Sequence, residues 1–174
     1  RDRSTLGGRR QRYRYFGYEK AGICYTFAVN ADNLRHTLGA DYVSGLDIRQ
    51  VNADDETLLT AIRTLSSSGV YAPIRAAADF FDILSTWRAT VWAALRDGKL
   101  VGYALRGTDG QISEIRVTDA GELLPFLHAL QRHLDTDTLT LRLPEHEDAC
   151  LRALAPVAEG YQIGCSMSYN VLNY

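Results

Sequence analysis

The sequence contains no stretch of eighteen apolar residues, and its arginine-rich start is not followed by an apolar segment. Neither a membrane-spanning helix nor a secretion signal is therefore expected. Cysteine is sparse: Cys24, Cys150 and Cys165 lie in apolar segments with no C-x-x-C spacing and no even count. That pattern argues against disulfides or zinc and predicts reduced, buried thiols in a cytoplasmic protein. The only lysines are Lys20 and Lys99, which leaves few candidates for lysine-based chemistry. The four histidines, His36, His128, His133 and His146, show neither H-x-x-x-H nor H-E-x-x-H spacing, so no metal site is expected. The sequence also lacks a G-x-S-x-G elbow, a Walker-type lysine loop and a G-x-G-x-x-G fingerprint, the usual marks of hydrolases, nucleotidases and dinucleotide enzymes.

What is present is enough apolar material for one substantial core: 174 residues, 46% of them hydrophobic. The net charge of −2 conceals an asymmetry, because residues 1 to 14 hold six arginines against Asp2 alone, a local charge of +5. A basic start on an acidic body suits an anionic partner such as a phosphate ligand, although a solvated arm has the same composition.

Period and punctuation give the element order. Tyr13, Phe16, Gly17 and Ala21 fall at helical spacing before Gly22, and Ile23 to Val29 alternate as a strand. A short helix capped by Asp32 then ends near Gly39, and Asp41 to Gly45 reads as a linker. From Leu46 the pattern predicts a strand to Val51, a helix capped by Asn52 or Asp54 with Leu58, Leu59, Ile62 and Leu65 on one stripe, and a second helix from Ile74 to Trp87. Three strands at hairpin spacing follow, Thr90 to Arg96, Leu100 to Arg106 and Gln111 to Val117, turned by Asp97-Gly98-Lys99 and Gly107-Thr108-Asp109-Gly110. Leu123, Leu127, Leu130 and Leu134 mark a helix, Leu139, Leu141 and Leu143 a strand, Ala149 to Val157 a helix, and Met167, Tyr169 and Val171 a closing strand.

The series from Leu46 resembles the GNAT acetyltransferase fold, in which a meander leads into a helix, a strand, a helix and a closing strand. The fold class expected is therefore α/β (α+β), a mixed, mostly antiparallel sheet flanked by helices. In that family a Q/R-x-x-G-x-G/A loop at the start of the helix after the fourth strand holds the pyrophosphate of acetyl-CoA on backbone N–H groups. The corresponding stretch here, Val117-Thr118-Asp119-Ala120-Gly121-Glu122-Leu123, has no such lead and places two acids at the helix start, where they favour the helix dipole and repel a phosphate. Asp119 reads as an N-cap.

Gly7 to Glu19 resembles the missing loop and helix instead, with Gln11 in the lead position and Arg14 where the first motif glycine is expected. An arginine there can itself reach a phosphate. The resemblance is thus to the C-terminal portion of a tandem-GNAT protein: residues 1–45 as the end of a first domain whose earlier strands are absent from the chain or supplied by another polypeptide, and residues 46–174 as a complete second domain without its own acetyl-CoA motif. It implies an acetyl-CoA-dependent N-acetyltransferase acting on a small-molecule or peptide amine, no membrane or nucleic-acid partner, and little activity from this chain alone. It also implies cofactor contacts from Arg9, Arg10, Gln11, Arg12, Tyr13, Arg14 and Asn33, and Tyr42 as the nearest positional match to a general acid. Asn33 reads equally as a turn or cap residue, and Tyr42 as a packed linker residue. The alternative is a non-catalytic, GNAT-like ligand- or partner-binding module. The strand Ile23 to Val29 is expected to lie against the second domain's sheet or to pair with a second copy in a homodimer.

Overall fold

The computed structural model describes residues 3–6, 14–16, 18–69, 72 and 74–171. Its elements in chain order are β1 (Arg3–Leu6), β2 (Glu19–Asn30), α1 (Ala31–Leu38), β3 (Asp47–Gln50), α2 (Glu56–Ser67), α3 (Phe80–Leu84), β4 (Thr90–Arg96), β5 (Lys99–Arg106), β6 (Ile112–Val117), α4 (Leu123–Leu134), β7 (Thr138–Pro144), α5 (Asp148–Leu154) and β8 (Gly160–Val171). Eight strands form one sheet in the order β1-β8-β2-β7-β6-β5-β4-β3. All neighbouring strands pair antiparallel except β6 and β7, which run parallel. The mixed, mostly antiparallel sheet with flanking helices agrees with the class read from the sequence.

Alternation along the strands sends side chains into two separate cores. On β4, Ala94 joins one and Val91 and Ala93 the other. The larger core gathers Leu34 of α1, Phe126 and Leu130 of α4 and Leu154 of α5 over Phe27, Val29, Leu139, Leu141 and Leu143. The smaller one sets Ile62 of α2 and Phe80 and Leu84 of α3 on Tyr103 and Leu105 of β5. Burying each leucine of this kind contributes roughly 1.5 to 3 kcal/mol. Helices therefore cover both faces and hold the middle strands rigid between them.

The strand Ile23 to Val29 does lie within the sheet, and it is longer than its alternation suggested. Cys24 to Asn30 pair with Pro144 to Thr138 of β7, while Glu19 to Ala28 run along Tyr169 to Gly160 of β8. This long-range pairing also corrects the helix expected from Tyr13 to Ala21. A 3-10 turn spans Arg14–Phe16 and the strand starts at Glu19, because Glu19, Lys20 and Ala21 find ladder partners in Tyr169, Ser168 and Met167; Tyr13 and Gly17 lie outside the described residues. Gly22 sits mid-strand with φ +72°, and a Cβ there would come within 2.7 Å of Ser166 Oγ, so only glycine suits the position.

Three further local expectations are corrected. The N-cap of α1 is Asn30, whose side chain accepts from Asn33 N at 2.7 Å; Asp32 is engaged instead with Arg35 at 2.8 Å. The cap position of α2 is Asp55, and its carboxylate accepts from Asn52 N at 2.8 Å. The helix expected from Ile74 to Trp87 contracts to α3 and a 3-10 turn at Thr86–Arg88, where Trp87 and Arg88 take φ of 61° and 62°. Left-handed backbone ends helical hydrogen bonding there, and Ile74 projects fully into solvent where a helical stripe would have buried it.

Candidate functional site

Among the described residues, β6 and β7 share a ladder contact only at Ile112↔Leu141, so beyond it their backbones run unpaired toward Val117 and Pro144. On the face covered by α2, side chains cross this parting. Arg116 of β6 reaches Glu147, just past β7, with Nη1 3.4 Å from Oε1, and both side chains are largely buried. His146 Nε2 lies 3.8 Å from the same carboxylate. The end of α2 comes so close that a Cβ on Gly69 would stand 2.2 Å from Arg116 Nη1. A residue without a side chain is what allows the helix terminus to meet the guanidinium.

Next to it lies a second polar group on the same face. Glu114 of β6 accepts from both Nη atoms of Arg75, at 2.9 and 2.5 Å, and from the hydroxyl of Tyr103 on β5. Tyr103 is wholly buried. Burial opposes the charge on Glu114, yet hydrogen bonds from Arg75 and Tyr103 and the charge of Arg75 hold its carboxyl below the usual carboxylate range. Burial and the neighbouring carboxylate push the Tyr103 phenol well above its ordinary value. The trio is therefore an ionised carboxylate, a guanidinium and a neutral phenol.

The start of α4, where the fold's enzymes would place a cofactor phosphate, is already satisfied from within. Asp119 caps the 3-10 turn Ala120–Glu122 that leads into α4, its Oδ1 accepting from Gly121 N at 2.8 Å and its carbonyl from Glu122 N at 3.0 Å. Glu122 is held by both Nη atoms of Arg96. Two carboxylates and spent amides make this helix end a poor seat for a pyrophosphate, so the residues present here do not fit acetyl-CoA.

Of the residues expected to contact a cofactor, Arg9, Arg10, Gln11, Arg12 and Tyr13 lie outside the described residues. Arg14 opens the 3-10 turn before β2. Asn33 donates from Nδ2 to Val157 O at 2.9 Å, tying α1 to the end of α5, and borders an open groove of about 460 Å³ with Asp32, Arg35, His36 and Ala40. Tyr42 meets His128 of α4 edge-on, with ring centroids 5.4 Å apart. Burial and the charge of Arg132 lower the pKa of His128. No spacing or motif marks Arg75, Tyr103 and Glu114 as a group. Glu114 and Arg116 alternate as a solvated strand face would, but Arg75 closes on the first and Glu147 and Gly69 approach the second, contacts made by segments distant in the chain. Among the described residues no group of three or more His, Cys, Asp or Glu could hold a metal ion, and no helix is long and apolar enough to cross a membrane.

No protein-family model matches the chain, and no curated protein matches it in sequence. Solved structures do match in fold. A probable N-acyltransferase of unknown function from Enterococcus faecalis superposes with a TM-score of 0.66 at 16% identity, over 99% of this chain and 45% of that one. A GCN5-related N-acetyltransferase from Anabaena variabilis gives 0.61 at 16% identity, over 99% and 46%, and another from Kribbella flavida gives 0.58 at 18%, over 99% and 44%. The chain thus spans less than half the length of these structures. Together with the element order and the single parallel pair, the likeness identifies the fold of this chain as that of the GCN5-related N-acetyltransferases.

Proposed function

We propose that the chain is the C-terminal portion of a tandem-GNAT, acetyl-CoA-dependent N-acetyltransferase that acts on a small-molecule or peptide amine. In this reading residues 1–45 close a first domain and residues 46–174 form a second one that shapes the acceptor site or the assembly. The observation that supports it is the acidic, capped turn leading into α4: with Asp119, Glu122 and Arg96 engaged there, that helix start is a poor seat for a pyrophosphate, and the Arg-rich segment before β2 has the charge for one. Arg9, Arg10, Gln11, Arg12, Tyr13 and Arg14 would bind the phosphates by charge-assisted hydrogen bonds. Asn33 would contact the cofactor arm, and Tyr42 would return a proton to the leaving thiolate. The cofactor supplies an activated acetyl thioester when bound.

The non-catalytic reading is favoured by one observation of its own, the Arg116–Glu147 ion pair that crosses the parting of β6 and β7. Coenzyme A titration into the chain separates the two. The enzyme reading requires saturable binding that Arg12→Ala and Arg14→Ala weaken, and acetyl transfer to an amine panel that rises when a first-domain half is co-expressed. Absence of coenzyme A binding in both settings would favour the binding module. Steep salt dependence without preference for the adenine nucleotide would mark the segment as a general basic arm.

A further inference from the structure

The trio of Arg75, Tyr103 and Glu114 has the form of a receptor and its occupant. The carboxylate and the phenol that donates to it stand on adjacent central strands, Tyr103 opposite Arg116 and Glu114 opposite Leu105 in the β5–β6 ladder. They are fixed from below by the smaller core, in which Tyr103 is a fully buried member. Arg75 comes from outside that frame. It belongs to the segment between α2 and α3, where residues 74–76 have no helix or strand, and Ile74 beside it points into solvent. Ile74 therefore contributes no anchorage, and among the described residues of this stretch Arg75 is one that ties it to the sheet.

The contact is a two-pronged one, Nη1 to Oε1 and Nη2 to Oε2, the geometry that distinguishes a guanidinium from an ammonium. The nearest other cation on β6, Arg116, is directed to Glu147. Arg75 also lines an open groove of about 820 Å³ with Arg63, Thr64, Ser67, Ser68 and Ile74, and the side chains of Arg75 and Glu114 keep 13% and 23% exposure, so the pair is reachable from solvent. A buried ion pair is seldom kept for stability, since apolar residues of similar volume serve as well.

We propose that Glu114 and Tyr103 form a binding site for an external guanidinium group, such as an arginine side chain, and that Arg75 is a built-in ligand that occupies it until displaced. The site does not depend on acetyl transfer, so it stands or falls separately from the function proposed above.

The test removes the internal ligand and supplies the group in trans. Arg75→Ala is titrated with methylguanidine, with urea as a neutral analogue of the same shape, at constant ionic strength, and the melting temperature is followed. The expected result is a saturating rise with methylguanidine, none with urea, and none in the double variant Arg75→Ala/Glu114→Gln. The unsubstituted chain should need at least about tenfold more methylguanidine, because Arg75 competes. Equal effects of urea and methylguanidine, or an unchanged response after Glu114→Gln, would overturn the proposal. Should Arg75→Ala not fold, the unsubstituted chain decides by amide hydrogen exchange. Methylguanidine, and not urea, should speed exchange at residues 74–79 in a saturable way, and unchanged exchange would overturn the proposal.

Discussion

Arg116 and Glu147 face each other at 3.4 Å across the one place where neighbouring strands of this sheet run parallel and then part. The pair joins β6 to the loop after β7 where backbone hydrogen bonds do not, and Gly69 at the end of α2 leaves the space for it. Substitution of Glu147 by Ala should leave Arg116 buried without that partner and cost about 3 to 5 kcal/mol. Glu147→Gln, which keeps an acceptor, should cost less. Urea midpoints of the two variants measure the difference, and equal loss in both would show that the retained acceptor has no part in it and that the lost charge accounts for the effect.

Gly102 of β5 should tolerate no side chain. A Cβ there would stand 2.7 Å from the carbonyl oxygen of Arg116, 2.9 Å from Val117 Cγ1 and 3.2 Å from Phe126. The first of these is backbone in the paired strand, which cannot rotate aside. Gly102→Ala is expected to destabilise by about 1 to 3 kcal/mol through overpacking, read from chemical denaturation. A stability equal to that of the parent would show that β5 and β6 can separate at this point.

Glu114 makes stability depend on acid. Its folded pKa is lowered, so the unfolded chain binds the proton more readily, and the contribution is fully present above the unfolded value near about 4.3 and is lost as pH falls through the folded one. Stability of the parent should therefore drop below about pH 4.3 more steeply than that of Glu114→Gln. Parallel curves for the two proteins would remove Glu114 from the acid response.

Asp119→Ala should cost about 0.5 to 2 kcal/mol by loss of the cap on the 3-10 turn that enters α4. It also frees the amide of Gly121, now bonded to Asp119 Oδ1 at 2.8 Å. Coenzyme A should still not bind at this helix, because Glu122 remains there with Arg96. A gain of coenzyme A affinity in Asp119→Ala would relocate the cofactor to α4.

Cys150 is buried, and burial followed by the charge of Glu147 pushes its thiol up to about 11. At pH 8 it should therefore stay protonated and resist alkylation, whereas the half-exposed Cys165 should label first. Peptide mapping after brief iodoacetamide treatment distinguishes them, with denaturant required before Cys150 reacts.

Local pattern carried much of the architecture. The meander from Thr90 to Val117, helix α4 and strand β7 were all legible, because hairpin turns and apolar period depend on residues close in the chain. Asp119 could be recognised as a cap for the same reason, its bond reaching only two residues ahead. The start of β2 was not legible: Glu19, Lys20 and Ala21 have no strand-like period of their own and become extended because Met167 to Tyr169 offer partners. Nor was the trio legible, since Arg75 lies 39 residues and Tyr103 11 residues from Glu114. The sequence by itself determined the meander, α4 and β7, whose signals are local, and that the start of α4 is acidic. Only the tertiary structure decided that β2 runs between β7 and β8 and that Arg75 closes on Glu114, because backbone pairing and charge burial depend on distant segments meeting in space.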